Sequence, residues 1–232
     1  MPFVVRDDDN VTCFRIQKRI CIEIALKHGA GLRQPMALPT DWYCLVECAS
    51  THAAIPVRAA LEGALMAALE AGEAEEAVIC ESEAQRQNLW NIRETFPICG
   101  RQEGPALCTD TAVPVSRVPE FLDRVAALIA RAHPEGRMIA LGHMGDGNIH
   151  VALMAPPGLT HAAWAARCPG FETRVGEIAV ELGGSFSAEH GIGASKRAAM
   201  AALKPPVALD AMRAIKAALD PAGRMNPGKV LP

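Results

Sequence analysis

Two histidines lie on either side of an Asp-Gly pair in the apolar stretch LGHMGDGNIHVALM, residues 141–154. Asp-Gly between apolar arms is a strong hairpin signal, because a type I′ turn requires positive φ at both central residues. With Asp146 and Gly147 as that turn, His143 pairs with His150, and directly opposed residues share a face with Cβ atoms about 5 Å apart. Two imidazoles at that separation can chelate one metal ion. The alternative is an ordinary pair of partly exposed cross-strand histidines.

A carboxylate that could complete such a site occurs in GGSFSAEHGIGASKR, where Glu189 and His190 end an extended segment. Neighbours on extended backbone project to opposite sides, so we expect one of the two at the metal and the other facing a substrate. Two histidines and a glutamate with an open fourth position form a catalytic zinc arrangement, beside which a free histidine can exchange a proton. The alternatives are an exposed turn with an incidental ion pair, or a zinc hydrolase that holds water in the open position.

Three segments in order, GHMGDGNIH, SAEHGIGASKR and MRAIKAALDPAGRMNPGKVL, resemble the signature segments of one family. That family is the C-terminal domain of FAD-linked oxidoreductases acting on D-2-hydroxy acids, such as D-lactate and D-2-hydroxyglutarate dehydrogenases and the glycolate oxidase flavoprotein subunit. The likeness runs from about Trp42 to Pro232 and includes LWNIRETF and EGPALCTDTAVPVSRVPEF.

The resemblance implies a role for each of the candidate site residues. His143, His150 and Glu189 would bind a divalent metal, usually zinc in that family, which holds the hydroxyl and carboxylate of the substrate. His190 would be the base that removes the hydroxyl proton while hydride passes from C2 to the flavin. Arg93, at the family's Arg-Glu motif, would hold a substrate carboxylate, which suits the bidentate geometry of a guanidinium. Without the family context, Arg93 is an ordinary cation on a helix surface.

The resemblance also implies a contact with the flavin domain near the C-terminus. Asn226, Gly228 and Lys229 lie in an Asn-Pro-Gly-Lys segment that resembles the loop packing against that domain, although by itself it is only a turn. In this family, FAD is bound mainly by a separate N-terminal domain of roughly two hundred residues. We therefore expect a fragment, a short gene product, or a chain that pairs with a separate FAD-domain subunit.

Three positions depart from the family's pattern. Cys108 stands where many members carry lysine, Pro97 where some hydroxyglutarate enzymes carry threonine, and Ala152 where asparagine is common. Losing a charge-assisted contact typically costs on the order of 1.5–3 kcal/mol of binding. A pocket for a dicarboxylate of the hydroxyglutarate type is therefore not expected.

The elements that must position these residues alternate between helices and strands. Helices are predicted at residues 14–32, 55–72, 83–96 (closed by Pro97), 117–133, 161–182 (interrupted at Pro169-Gly170), 195–203 and 207–220. Strands or extended segments are predicted at residues 38–50, 75–82, 104–115, 138–154 and 183–191. A tight turn forces antiparallel pairing, which favours an α+β fold with helices packed mainly on one face of an antiparallel or mixed sheet. The resemblance implies a ferredoxin-like architecture, with residues 1–40 as a linker helix from the FAD domain and 41–232 as the substrate and metal domain.

Composition limits the partners and the compartment. The net charge is −3 and the pI about 6.2, which removes the electrostatic case for nucleic acid or anionic membranes. No apolar run reaches the roughly 20 residues of a spanning helix, and the first ten residues lack the pattern of a secretory signal. The 8 cysteines include no CxxC pair, so we expect reduced thiols in a cytoplasmic protein. The sequence leaves open the identity of the acid, the electron acceptor and the oligomeric state, a homo-oligomer included.

The sequence thus predicts the substrate- and metal-binding domain of an FAD-dependent dehydrogenase or oxidase that converts a small D-2-hydroxy acid into the 2-oxo acid. The alternative is a catalytically silent remnant or interaction module that keeps the fold but lacks the flavin domain.

Overall fold

The computed structural model describes residues 10–37, 39–52 and 54–232, and this part contains six strands and eight α-helices. The strands are β1 Val11–Lys18, β2 Trp42–Cys48, β3 Ala106–Cys108, β4 Thr111–Ala112, β5 Arg137–His143 and β6 Asn148–Met154. The helices are α1 Arg19–His28, α2 Val57–Glu70, α3 Glu83–Glu103, α4 Val118–Ala132, α5 His161–Arg167, α6 Phe171–Glu181, α7 Arg197–Leu203 and α8 Pro206–Leu219. Within these ranges no helix is both long and apolar enough to cross a membrane.

The strands form one sheet in the order β2-β1-β5-β6-β3, with β4 also paired to β6, and every pairing is antiparallel. The predicted α+β class is therefore confirmed. The segment 1–40 was predicted to be a linker, but β1 lies inside the sheet between β2 and β5. From Asn10 onward this segment is part of the same fold as the rest of the chain, while residues 1–9 lie outside the described residues.

One face of the sheet packs on helices α4, α5 and α6. Alternate residues of β6, namely Ile149, Val151 and Leu153, are fully buried there against Phe121 and Trp164. The period of two places all three on one face, and the indole N–H of Trp164 donates to the Leu153 carbonyl at 2.9 Å. Burying a large apolar side chain typically stabilises a fold by about 1.5–3 kcal/mol, so this layer forms the main core.

The opposite face is covered by α1 and α3, which contradicts the expectation that helices lie mainly on one face. Cys21 of α1 and Phe96 of α3 pack against Ile139 and Leu141 of β5 and Met154 of β6. Both faces of β5 and β6 are therefore apolar, and such strands need a helical layer on each side. Only one of these two helices, α1, belongs to the segment that we had predicted to be a linker.

Four local predictions differ from the structure. The helix predicted over 14–32 begins only at Arg19, because residues 11–18 pair with β2 and β5. Residues 75–82 form no strand. Residues 183–191 contribute only a single bridge, from Ser185 to Ala112. Helix α3 continues through Pro97, which lies on its exposed side, and its packing on α1 compensates for the one lost hydrogen bond. The break at Pro169-Gly170 between α5 and α6 is confirmed.

Glu103 ties the last turn of α3 to two other elements. Its carboxylate accepts from Lys27 at 2.6 Å and His28 at 2.7 Å, both at the end of α1, and from Arg137 of β5 at 3.0 Å. The hydrogen bond from Lys27, followed by those from His28 and Arg137, lowers the pKa of Glu103 to about 2. The side chain is only 9% exposed, so these contacts are partly protected from solvent screening.

Glu103→Gln should lower the free energy of unfolding by about 1–3 kcal/mol near pH 7. Because the folded-state pKa lies below the ordinary value of 4.5, the contribution is present above pH 4.5 and is lost as the pH falls toward 2. Urea unfolding of both proteins between pH 7 and pH 2.5 measures this difference. The exposed Glu70→Gln serves as the control, and a Glu103→Gln difference that does not shrink at low pH would contradict the assignment.

Candidate metal and substrate site

The hairpin of β5 and β6 carries the two predicted histidines, in a register that differs from the predicted one. His143 pairs with Asn148 and His150 with Leu141, so the predicted direct pairing of the two histidines is wrong. The connection is four residues long, because Asp146 Oδ1 accepts from the Asn148 amide at 3.0 Å. A shift of two residues keeps both histidines on one face, and their ring centroids lie 6.1 Å apart with planes at 85°.

The turn itself is packed against the segment after β4. Gly147 has φ of +69°, and a Cβ at this position would lie 1.9 Å from the carbonyl oxygen of Val113. The Val113 amide in turn donates to the Gly147 carbonyl at 3.1 Å. Only glycine fits this close approach of two backbones, which fixes the position of the hairpin end.

Asp110 organises the second half of the site. It lies between β3 and β4, where Thr109 and Thr111 donate side-chain hydrogen bonds to carbonyl oxygens of β6. The Asp110 carboxylate is 1% exposed, and its Oδ2 accepts from the backbone amides of Ala188, Glu189 and His190 at 3.1, 3.0 and 2.8 Å. The segment 188–190 is therefore a bend around a carboxylate and not an extended strand.

Because of this bend, Glu189 and His190 approach the same place, and our prediction that they face opposite sides is wrong. Asp110, His150, Glu189 and His190 each offer a ligand atom, and these atoms lie within 4.8 Å of one another. Glu189 Oε1 is 3.2 Å from His150 Nε2 and 3.8 Å from His190 Nε2. The rings of His150 and His190 stack with centroids 5.2 Å apart and planes at 14°.

The donor set fits a divalent cation. Carboxylate oxygens and imidazole nitrogens suit zinc and related ions. Two buried atoms in the group, Asp110 Oδ1 and His150 Nδ1, have no hydrogen-bond partner and lie 3.6 Å apart. A proton on His150 Nδ1 would point at Asp110 and leave Nε2, on the Glu189 side, free to coordinate. This is the arrangement in which a carboxylate orients a metal-binding histidine.

His143 lies beside this group but outside it. Its Nε2 accepts from the guanidinium of Arg15 on β1, the residue with which it is paired in the sheet. His143 can coordinate through Nε2 only if that guanidinium moves. The predicted ligand role of His143 therefore stays a prediction, whereas Asp110 is an acidic member of the group that our sequence reasoning did not single out.

The charge states suit metal coordination near neutral pH. Burial lowers the pKa of His150, against the opposing effect of Asp110 and Glu189, and burial and the charge of Arg15 lower the pKa of His143. Neutral imidazole is the form that binds a metal. Burial alone would raise the pKa of Asp110, but the amide of His190 and the charges around the carboxylate outweigh it, so the net shift is downward and the group is ionised.

Two arginines lie near His143: Arg15, which donates to its ring, and Arg93, whose charge acts on it. Arg93 of α3 has a side chain that is 16% exposed, and its one ion pair among the described residues is with Glu94 at 3.8 Å. Burial and then the charge of Arg15 lower the pKa of Arg93. The charges of both arginines also act on His143. Arg15 was not predicted as a site residue, because this part of β1 was predicted to be helical. The alternation in CFRIQ would have placed Arg15 on one face of a strand.

Comparisons with known proteins identify the family of this chain. A family model described as "FAD linked oxidases, C-terminal domain" matches residues 2–230. The chain belongs to this family. The D-2-hydroxyglutarate dehydrogenase of Xanthomonas citri pv. viticola is 33% identical over 213 residues, which are 90% of this chain and 43% of that protein.

Two further relatives cover less of the chain. The D-2-hydroxyglutarate dehydrogenase of Stutzerimonas stutzeri is 35% identical over 162 residues, 70% of this chain and 35% of the relative. A probable mitochondrial D-lactate dehydrogenase of Danio rerio is 35% identical over 154 residues, 65% of this chain and 30% of the relative. This FAD-linked oxidase domain thus matches between 30% and 43% of the length of these three proteins.

Two of the departures from the family pattern are neighbours in this FAD-linked oxidase domain. Cys108 of β3 pairs directly with Ala152 of β6, and Ala152 lies two residues beyond His150 on the same face. Cys108 is exposed as a residue, but the atoms around its sulfur partly desolvate it and so raise the pKa of its thiol. The β3 end of the site therefore presents two uncharged side chains.

The C-terminal loop of the FAD-linked oxidase domain packs next to the segment that carries Glu189. The Val230 amide donates to the Gly193 carbonyl at 2.7 Å, and Arg197 Nε donates to the Leu231 carbonyl at 2.7 Å. Asn226, Gly228 and Lys229 are exposed, and Asn226 has a φ of +47°. Their predicted contact with a flavin domain stays a prediction.

Proposed function

We propose that this chain is the substrate- and metal-binding domain of an FAD-dependent dehydrogenase that oxidises a D-2-hydroxy acid to the 2-oxo acid. The observation that carries the proposal is the convergence of Asp110, His150, Glu189 and His190 within 4.8 Å. Family membership supports FAD as the cofactor, and relatives named D-2-hydroxyglutarate and D-lactate dehydrogenases support the substrate class. These relatives are much longer than this chain, so we assign most of the flavin site to a further domain or a separate subunit.

His150 and Glu189 would hold the metal, with His143 as a third ligand once Arg15 moves aside. A bound divalent cation, zinc by resemblance to the family, would supply a Lewis acid that polarises the 2-hydroxyl of the substrate. Asp110 is better suited to a supporting position, because its Oδ2 already accepts three amides and its Oδ1 faces His150 Nδ1.

His190 is the best candidate for the base. Its side chain is 59% exposed, the most open of the group, so a substrate can reach it. One ring nitrogen, Nδ1, lies 3.9 Å from Asp110 Oδ2, and that negative charge stabilises the imidazolium formed when the ring takes the hydroxyl proton. Bound FAD would supply the acceptor for the hydride that leaves C2, so that a 2-oxo acid remains.

The substrate specificity follows from the two ends of the site. Arg93 is close enough to influence His143 electrostatically and would hold the carboxylate. At the β3 end, Cys108 and Ala152 offer no cation for a second carboxylate. We therefore favour a 2-hydroxy acid with an uncharged side chain, such as D-lactate, over D-2-hydroxyglutarate.

The test joins this chain to the FAD-binding domain of the Xanthomonas citri relative and follows flavin bleaching after addition of D-lactate under anaerobic conditions. We expect reduction by D-lactate but not L-lactate, loss of reduction after chelation, and recovery with zinc. Turnover with an artificial electron acceptor should follow the same pattern. No reduction by D-lactate or D-2-hydroxyglutarate in the zinc-loaded protein would favour a catalytically silent module instead.

A further inference from the structure

Arg15 is a half-buried cation without an anionic partner. Among the described residues no carboxylate oxygen lies within 4 Å of its guanidinium, which donates to His143 Nε2 and lies 5.7 Å from the ring centroid of Trp90. The aromatic face holds the plane of the guanidinium, and only part of its N–H groups is used by His143. The remaining N–H groups of Arg15 have no hydrogen-bond acceptor among the described residues and are therefore available to a ligand.

A second guanidinium increases the positive charge at the same place. Arg93 is largely buried, and its own carboxylate contact, to the 60% exposed Glu94, is long at 3.8 Å. Burial of Arg93 and the nearby charge of Arg15 outweigh the opposing charges of Glu94 and Glu189, because the net shift of the Arg93 pKa is downward. This end of the site is suited to a small anion.

The sheet register places this cationic end relative to the metal group. Arg15 on β1 pairs with His143 on β5, and directly paired residues share a face. The same face continues through His150 on β6 to Ala152 and its partner Cys108 on β3. Along this face, the cation lies on β1, the two imidazoles lie on β5 and β6, and the uncharged side chains lie on β6 and β3.

We propose that Arg15, together with Arg93, binds the carboxylate of a 2-hydroxy acid whose uncharged side chain points toward Cys108 and Ala152. This inference rests on the proposed function, because it concerns the orientation of the substrate at the same site. The carboxylate lies at the β1 end, the hydroxyl over the group formed by His150, Glu189 and His190, and the side chain at the β3 end. Arg15 thus supplies from β1 a cation that Cys108 does not supply from β3.

The first test is calorimetric titration of the metal-free chain with oxalate, a planar carboxylate probe. The wild-type chain should bind oxalate, and Arg15→Gln should weaken binding at least about tenfold, as expected for loss of a charge-assisted contact. Arg15→Lys keeps the positive charge but loses the two parallel N–H donors of the guanidinium, so its affinity for oxalate should lie between those of the wild type and Arg15→Gln. The control is Arg117→Gln, which removes an equal charge at an exposed arginine paired with Glu120.

The second test moves a cation to the β3 end. D-Lactate and D-2-hydroxyglutarate should compete with oxalate about equally in the wild-type chain, because the second carboxylate meets no cation. Cys108→Lys should strengthen competition by D-2-hydroxyglutarate about tenfold and leave D-lactate unchanged. Circular dichroism checks that each variant is folded, and Arg15→Lys answers the question if Arg15→Gln does not fold.

The inference is overturned if the wild-type chain does not bind oxalate, if Arg15→Gln binds it as well as the wild type, or if Arg117→Gln loses as much affinity. These titrations contain neither flavin nor metal, so they are independent of turnover. If oxalate binding depends on Arg15 but no flavin reduction is found, the proposed function is wrong and the anion-binding role of Arg15 still stands. Flavin reduction at an unchanged substrate affinity in Arg15→Gln would remove only the role of Arg15.

Discussion

Asp110→Asn should weaken zinc binding by about 10–100-fold, the usual effect of losing a carboxylate that orients a metal-binding histidine. With aspartate, a proton on His150 Nδ1 faces Oδ1, and Nε2 keeps its lone pair on the Glu189 side. The asparagine amide oxygen can still accept from the backbone amides of residues 188–190, which leaves the amide group NH₂ facing His150 Nδ1. The histidine then carries its proton on Nε2 and cannot coordinate there.

The measurement is competition with a chromophoric zinc chelator at pH 7.5, combined with ¹⁵N chemical shifts of the His150 ring to identify the tautomer. Asp220→Asn is a matched control, because Asp220 also accepts backbone amides, from Arg224 at 2.8 Å and Met225 at 2.9 Å, but lies outside the metal group. Asp220→Asn should bind zinc like the wild type. An unchanged zinc affinity in Asp110→Asn, or an unchanged tautomer, would show that Asp110 has no such role.

At the hairpin, the face shared by the two histidines was predictable from the sequence but their register was not. The two-residue repeat of β5 and β6 was enough to predict that His143 and His150 share a face, because side-chain alternation does not depend on the turn. The register depends on the turn type, and here the Asp146 side chain caps the Asn148 amide and makes the connection four residues long. The register is therefore shifted by two residues, so that His143 and His150 stay on the same face of the sheet but do not pair with each other.

The residues that complete the site were harder to predict, because long-range contacts determine their roles. Asp110 accepts from amides 78 to 80 positions further along the chain, and Arg15 contacts a histidine 128 positions away. Neither contact leaves a periodic signal in the sequence. The direction of Glu189 and His190 was likewise set by Asp110 and not by the local backbone preference.

The helices with a clear apolar stripe, such as α4 and α8, lie close to where the sequence predicts them. The errors occur where tertiary packing overrides local signals. Pro97 is accommodated because α3 packs along α1, and residues 14–18 pair as a strand although they continue directly into a helix. Helices cover both faces of the sheet because β5 and β6 are apolar on both sides.

Replacing His190, the proposed base, should have a large effect on the rate of flavin reduction. In the chain joined to an FAD-binding domain, His190→Gln should lower the rate of flavin reduction by D-lactate about 10²–10⁴-fold, the usual contribution of a positioned base. Substrate affinity should change little, because Arg93 and the proposed metal ligands His150 and Glu189 remain. His161→Gln, at the exposed first turn of α5, is the control and should reduce flavin at the wild-type rate.

The same variant separates the two roles that the geometry allows for His190. Its Nε2 lies 3.8 Å from Glu189 Oε1, so the ring could also be a ligand of the metal. If His190 is the base, the purified His190→Gln protein keeps its zinc, and only the rate of flavin reduction falls. If zinc is lost together with the rate, His190 is a ligand and the base must be sought elsewhere. Because His190 is the most exposed member of the group while His150 Nδ1 is buried, we expect zinc to be retained.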